Sequence, residues 1–153
     1  MFGRLLDRLR PKRLEDPIFG RLLFIRAKNP ARSYWEGEGA FKPLGTDIEY
    51  FIAADETGPG ETQRELYRLM ASNFDRLFAT VAPMLQSEYE ASTESSSRPD
   101  AAPVFRLSSL SIPRKESDDM EWEMNFSCSD SDDWLFTVQM RGWQPTGSIE
   151  VMH

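Results

Sequence analysis

A stripe of apolar side chains between positions 62 and 85 constrains the fold of this chain more than any other feature. Its members recur at steps of three and four residues: Leu66, Leu69, Met70, Phe74, Leu77, Phe78, Val81 and Leu85. This spacing gives an α-helix one apolar face, which must be buried against another layer. Thr62 followed by Glu65 predicts a capping box at the helix start. Pro83 predicts a kink, or the start of a second short helical piece that reaches about Tyr89.

Strands are predicted on both sides of this helix. They span 21–27, 33–42 and 47–54 before it, and 104–112, 120–128, 134–143 and 148–152 after it. The clearest is 120–128, in which apolar Met, Trp and Phe side chains alternate with acidic and polar ones. Such alternation indicates a strand with one buried and one solvated face. The order βββ-α-ββββ predicts an α+β fold, a single twisted antiparallel sheet with one long amphipathic helix packed on one face.

The length of 153 residues predicts one domain. Residues 1–13 form a basic amphipathic N-terminal segment, in which five basic side chains and one acidic one give a net charge of +4. Residues 14–153 are predicted to form the single α+β domain. A Ser/Pro-rich stretch at 90–103 predicts a flexible connection inside that domain.

The first residues allow two interpretations. Phe2, Leu5, Leu6 and Leu9 lie at helical spacing with arginines between them. A basic amphipathic helix of this kind could associate peripherally with an anionic membrane through residues 2–10. It could instead dock on the body of the protein, which we favour because the stripe is shorter than three turns.

Composition excludes several classes of protein. With Cys128 as the single cysteine, the chain can form no internal disulfide bond. It contains no apolar run near the roughly 20 residues that a membrane helix needs, and no signal-peptide core. These features predict a cytoplasmic protein. The net charge of −7 argues against nucleic-acid binding, which depends on neutralising phosphates.

The sequence offers little catalytic chemistry. Its only histidine is His153, so neither a Cys/His zinc site nor a Ser-His-Asp arrangement is predicted. We predict no catalytic residue, no metal and no cofactor. The glycines at 58–60 are best explained as a turn. Pairs such as Glu36 with Glu38 could do acid/base work only if they converged in a cleft; otherwise they lie on solvated faces.

The strongest concentration of charge lies at 113–133, where eight acidic and two basic side chains give a net charge of −6. The aspartates in this stretch fit a hairpin turn better than a calcium loop. The candidate partner-binding residues are Glu121, Glu123, Asp130, Asp132 and Asp133. They predict a non-catalytic domain that binds a basic protein partner. A small-ligand binder or enzyme with a carboxylate-lined pocket is the alternative, and exposed strand edges leave both monomer and dimer open.

Three short motifs support this class of protein by resemblance. They are Asp16-Pro17-x-Phe19-Gly20, Trp35-Glu36-Gly37, and Glu56-x-Gly58-Pro59 followed by Gln63 and Tyr67. Over about residues 14–86 the chain resembles a group of small bacterial domains of unknown function. Some similar proteins look like immunity proteins that neutralise toxins of neighbouring bacteria. The resemblance implies no catalytic residue.

Overall fold

The computed structural model describes residues 12–92, 104–129 and 131–152. Its strands are β1 (Arg13–Asp16), β2 (Gly20–Ile25), β3 (Tyr34–Phe41), β4 (Thr46–Ala53), β5 (Phe105–Ile112), β6 (Glu121–Cys128), β7 (Ser131–Arg141) and β8 (Gln144–Met152). Its helices are α1 (Glu61–Ser72) and α2 (Phe74–Ser92), and a 3₁₀ turn covers Pro30–Arg32. The predicted mixed fold is therefore confirmed, but the order is ββββ-αα-ββββ.

All eight strands belong to one sheet in which spatial order follows chain order from β1 to β8. Neighbouring strands pair antiparallel, except that β4 and β5 run parallel. The prediction of an entirely antiparallel sheet was wrong at this one step. The two helices lie between β4 and β5 in the chain, and such a long crossover is what a parallel neighbour requires.

The core lies between one face of the sheet and both helices. Tyr67 on α1 packs against Tyr50, with ring centroids 5.7 Å apart, and Phe78 on α2 packs against Phe126 at 5.8 Å. Of the predicted helical stripe, Leu66, Met70, Phe74, Leu77, Val81 and Leu85 are buried, as expected. Leu69 is an exception, since 39% of its surface is exposed.

The helical region breaks at Asn73 rather than at Pro83. The side-chain amide of Asn73 donates to the carbonyl of Leu69 (2.8 Å), and its own carbonyl accepts from the backbone N–H of Leu77 (2.9 Å). Asn73 therefore ends α1 and starts α2. Pro83 lies inside α2, which continues to Ser92, past the predicted start of a loop at position 90.

The predicted capping box was also misplaced. Gly60, not Thr62, caps α1, and its N–H donates to Oε1 of Gln63 (2.8 Å). The Gln63 amide in turn donates to the carbonyl of Ala53 at the end of β4. A single glutamine side chain thus ties the start of α1 to the sheet.

The D-P-x-F-G segment forms the turn between β1 and β2. Oδ1 of Asp16 accepts hydrogen bonds from the N–H groups of Ile18 (2.9 Å) and Phe19 (3.1 Å), and Gly20 has a φ of +80°. The fully buried Phe19 packs edge-to-face on Tyr50 and Tyr67. Because β1 begins at Arg13, the predicted domain boundary between residues 13 and 14 falls inside a strand.

Gly37 of the W-x-G segment permits a close strand approach in β3. A Cβ atom at this position would lie 2.2 Å from the carbonyl oxygen of Arg21. The indole N–H of neighbouring Trp35 donates to the carbonyl of Asp55 at 2.7 Å. The W-x-G motif therefore connects β3 both to β2 and to the loop that leads to α1.

In the last third, the strand bounds differ from the predicted 134–143 and 148–152. Residues 145–147 belong to β8, and the chain turns at Gly142 and Trp143, where Gly142 has a φ of +57°. Ser131–Arg141 is a strand, so the predicted turn at 129–133 is shorter than expected.

Neither described helix is long and apolar enough to cross a membrane. Residues 2–10, which carry the membrane interpretation, lie outside the described part of the chain.

Candidate binding surface

The face of the sheet turned away from both described helices is the candidate site, and we call it the helix-free face. Strand register aligns its side chains in two rows. The first runs through Arg21, Glu38, Glu49, Ser109, Asn125, Thr137 and Glu150. The second runs through Leu23, Glu36, Phe51 and Ser111, and continues to Glu123 and Gln139.

Two open grooves lie along these rows. One, of about 650 Å³, lies over β1 to β4, and the other, of about 490 Å³, lies over β4 to β8. Both are lined by Glu49 and Phe51, so the grooves meet at β4. We refer to the two grooves together as the depression.

This depression is acidic. Six carboxylates line it, namely Glu15, Glu36, Glu38, Glu49, Glu123 and Glu150. The lining also contains two basic side chains, Arg13 and Arg21, and Arg21 lies 3.3 Å from Glu15 in an exposed ion pair. Most of the acidic side chains thus have no cationic partner among the described residues.

Glu38 and Glu49 are directly opposite each other on β3 and β4. Both are exposed on the helix-free face, and no ion pair to either occurs in the described residues. Like charges in directly opposed positions destabilise a sheet by roughly 0.2–1 kcal/mol. A bound cation between them would remove this repulsion.

A buried polar cluster forms the floor of the second groove. The side-chain Nδ2 of Asn125 donates to Oγ of Ser109 (2.6 Å), and the hydroxyl of Thr137 donates to the side-chain Oδ1 of Asn125. All three residues are buried although they belong to the helix-free face. They hold β5, β6 and β7 in register and keep the floor polar.

The predicted partner-binding residues divide between two environments. Glu121 is exposed and its Oε1 lies 3.3 Å from Nη2 of Arg141 on β7, which partly neutralises it. Glu123 lies in the second groove and accepts a hydrogen bond from the Gln139 amide at 2.7 Å. Asp130 and the side chains of Asp132 and Asp133 lie outside the described part of the structure.

Sequence reasoning did not select Glu49 or Phe51 as site residues. It named Glu36 and Glu38 as a pair, and the structure places both in the groove over β1 to β4. Only the register of β3 on β4 brings Glu49 opposite Glu38.

The carboxyl groups with shifted pKa values lie elsewhere. Burial would raise the pKa of Asp16, but hydrogen bonds from Arg64 and from the N–H groups of Ile18 and Phe19 outweigh it and lower that pKa. Hydrogen bonds from Thr57 lower the pKa of Asp55, and one from Arg68 lowers that of Glu61. These three groups stabilise turns and the start of α1.

The pKa of Tyr50 is shifted as well. Burial raises its pKa, and the hydroxyl of Tyr67, 3.5 Å away, raises it further. Its own hydroxyl donates to the carbonyl of Ala40 at 2.8 Å. Tyr50 therefore stays neutral and serves the core.

Within the described ranges, no group of three or more His, Cys, Asp or Glu side chains is placed to hold a metal ion. The single cysteine, Cys128, is buried.

Comparison of the chain with protein-family models, with characterised proteins and with solved structures gave no match. The resemblance of its three motifs to small bacterial domains stays a prediction. The roles of those motifs in the fold come from the geometry described above.

Proposed function

We propose that this protein is a non-catalytic binding domain that holds a basic segment of a partner protein on its helix-free face. The observation that carries the proposal is the opposed pair Glu38 and Glu49 in a groove that also contains Glu36. The repulsion between Glu38 and Glu49 costs stability in the isolated protein. Arg21 lies opposite Glu38 on β2, but its ion pair is with Glu15. A cationic partner would relieve this repulsion, and the relief would contribute to the free energy of binding.

The proposal moves the interface away from the hairpin that the sequence suggested. Glu121 on that hairpin already has Arg141 as a partner. Glu123 remains part of the interface, because it lines the groove over β4 to β8. The partner would therefore contact a surface built from β2 to β8.

The side chains that line the groove favour a partner segment that carries both basic and apolar side chains. Leu23 and Phe51 lie between the carboxylates and are only half-buried. They offer apolar area that a chain of lysines alone would leave uncovered. A toxin-neutralising immunity protein is one form that this function would take, and that suggestion rests on the motif resemblance.

A fluorescein-labelled octalysine peptide provides the first test, read by fluorescence anisotropy with the full chain. We expect binding that weakens as salt is raised from about 50 mM to about 300 mM, because exposed charges are screened. The double variant Glu38→Gln/Glu49→Gln should weaken binding about fivefold, as expected for two exposed ion pairs.

A matched control removes the same charge from the helical layer. Glu65 on α1 and Glu88 on α2 lie outside both grooves. The double variant Glu65→Gln/Glu88→Gln should bind octalysine as the wild type does. An equal loss of affinity for octalysine in the two double variants would show that net charge alone attracts the peptide, and would refute the proposed interface.

A further inference from the structure

Phe51 occupies the centre of the helix-free face. It lines both grooves and is half-buried. Its ring meets that of Tyr34 edge-to-face, with centroids 6.2 Å apart and an interplanar angle of 63°. The neighbouring aromatic ring restrains Phe51 and leaves it available from the solvent side.

Carboxylates flank this ring. Glu36 is its direct cross-strand neighbour on β3, and Glu49 lies two residues earlier on the same face of β4. On the other side, Ser111 is its partner on β5, and the Ser111 hydroxyl accepts from the N–H of Glu123 at 2.7 Å. Since adjacent strands lie about 4.8 Å apart, one cation above the ring can reach Glu36.

An aromatic ring and a carboxylate also contact one of the protein's own arginines, at another place on its surface. The guanidinium carbon of Arg26 lies 5.9 Å from the centroid of the Phe24 ring. Nη2 of the same arginine lies 2.7 Å from Oε1 of Glu56. One aromatic ring and one carboxylate thus hold a guanidinium group at the surface of this molecule.

We propose that Phe51, Glu36 and Glu49 form a receptor for one arginine side chain of the partner, with the guanidinium plane on the Phe51 ring. A guanidinium group suits this place better than an ammonium group, because it is planar, weakly hydrated and stacks on aromatic faces while pairing with carboxylates. This inference rests on the proposed function and names the side chain that anchors the partner.

The test compares fluorescein-labelled octa-arginine and octalysine peptides on the full chain. The wild type should bind octa-arginine about threefold more tightly, the size of one exposed cation–π contact. Phe51→Leu, which keeps an apolar side chain and removes the ring, should abolish that preference by weakening octa-arginine binding more than octalysine binding. Glu36→Gln should weaken the binding of both peptides.

Phe78→Leu is the matched control, since Phe78 is a half-buried phenylalanine on α2, outside both grooves. It should preserve the arginine preference, and thermal unfolding followed by circular dichroism checks that both variants fold. Equal affinity of the wild type for the two peptides would overturn the inference. An equal loss of affinity for both peptides in Phe51→Leu would overturn it as well. Failure of both peptides to bind the wild type would refute the proposed function itself.

Discussion

Nη2 of Arg64 on α1 lies 2.7 Å from Oδ2 of Asp16 at the end of β1, and Nε of the same guanidinium lies 3.1 Å from that oxygen. The Asp16 side chain is fully buried and that of Arg64 is 23% exposed. This pair fixes the first strand to the first helix. Oδ1 of the same carboxylate closes the turn before β2, so one side chain organises two junctions.

We expect Asp16→Asn to lower the free energy of unfolding by about 2 kcal/mol at neutral pH, because it removes a charge-assisted hydrogen-bonded pair. The folded-state pKa of Asp16 is lowered, so its contribution is complete above the ordinary value of 3.8 and is lost as the pH falls below it. Urea unfolding at several pH values measures both effects. The difference in the free energy of unfolding between the wild type and Asp16→Asn should shrink as the pH falls below that value. A difference independent of pH would contradict this explanation.

Gly37→Ala should destabilise the protein by about 2 kcal/mol or more, because the new methyl group must displace backbone. It would lie 2.2 Å from the Arg21 carbonyl oxygen and 2.8 Å from Cδ2 of Leu22. Gly60→Ala is the control, since its Cβ would have Gln63 Oε1 as its nearest neighbour at 3.9 Å. Its cost should be about 0.5–1 kcal/mol, that of a less favourable N-cap residue. Thermal unfolding of the two variants should separate them clearly, and similar losses would show that close strand approach is not the cause.

Glu49→Gln should stabilise the isolated protein by about 0.5 kcal/mol, because it relieves the repulsion from Glu38 and leaves Arg21, the neighbour of Glu38 on β2, in place. The gain should diminish at high salt, which already screens the two charges. Glu65→Gln, on exposed α1 surface, should change the free energy of unfolding little. A loss of stability in Glu49→Gln would mean that Glu49 makes a favourable contact in the isolated protein, and would contradict the repulsion between Glu38 and Glu49.

Asn125→Ala should cost about 1–3 kcal/mol, because it leaves the buried hydroxyls of Ser109 and Thr137 without their hydrogen-bond partner. Ser127→Ala on the same strand is the control. Its half-buried hydroxyl makes one long hydrogen bond, 3.4 Å, to the Arg106 carbonyl. Equal unfolding midpoints for the two variants would show that the cluster is not a structural element of the sheet.

The sequence was sufficient to predict the elements that depend on local periodicity. The alternation in β6 correctly assigned Trp122 and its apolar neighbours to the core, and acidic side chains to the other face. β1 was missed because its four residues carry no alternating pattern. The helix break was misplaced because Pro83 is tolerated within α2, whereas Asn73 ends α1 through a side-chain hydrogen bond.

The candidate surface could be predicted only in part, for a physical reason. Local patterning places Glu36, Glu38 and Glu49 on solvated faces, and the structure places them there. Whether they meet depends on strand register and on which strands are neighbours. The parallel pairing of β4 with β5 joins the two halves of the face at Phe51, and no local pattern around residue 51 encodes it.

The measurement that tests the account most directly is a two-dimensional ¹H–¹⁵N NMR titration of the full chain with unlabelled octa-arginine. If the helix-free face binds the peptide, the largest amide shift changes will fall on β3 and β4, at Glu36, Glu38, Glu49 and Phe51. They will extend toward Glu123. Changes confined to the helices α1 and α2, or no saturable change at any amide, would contradict the claim that the helix-free face is the binding surface of this protein.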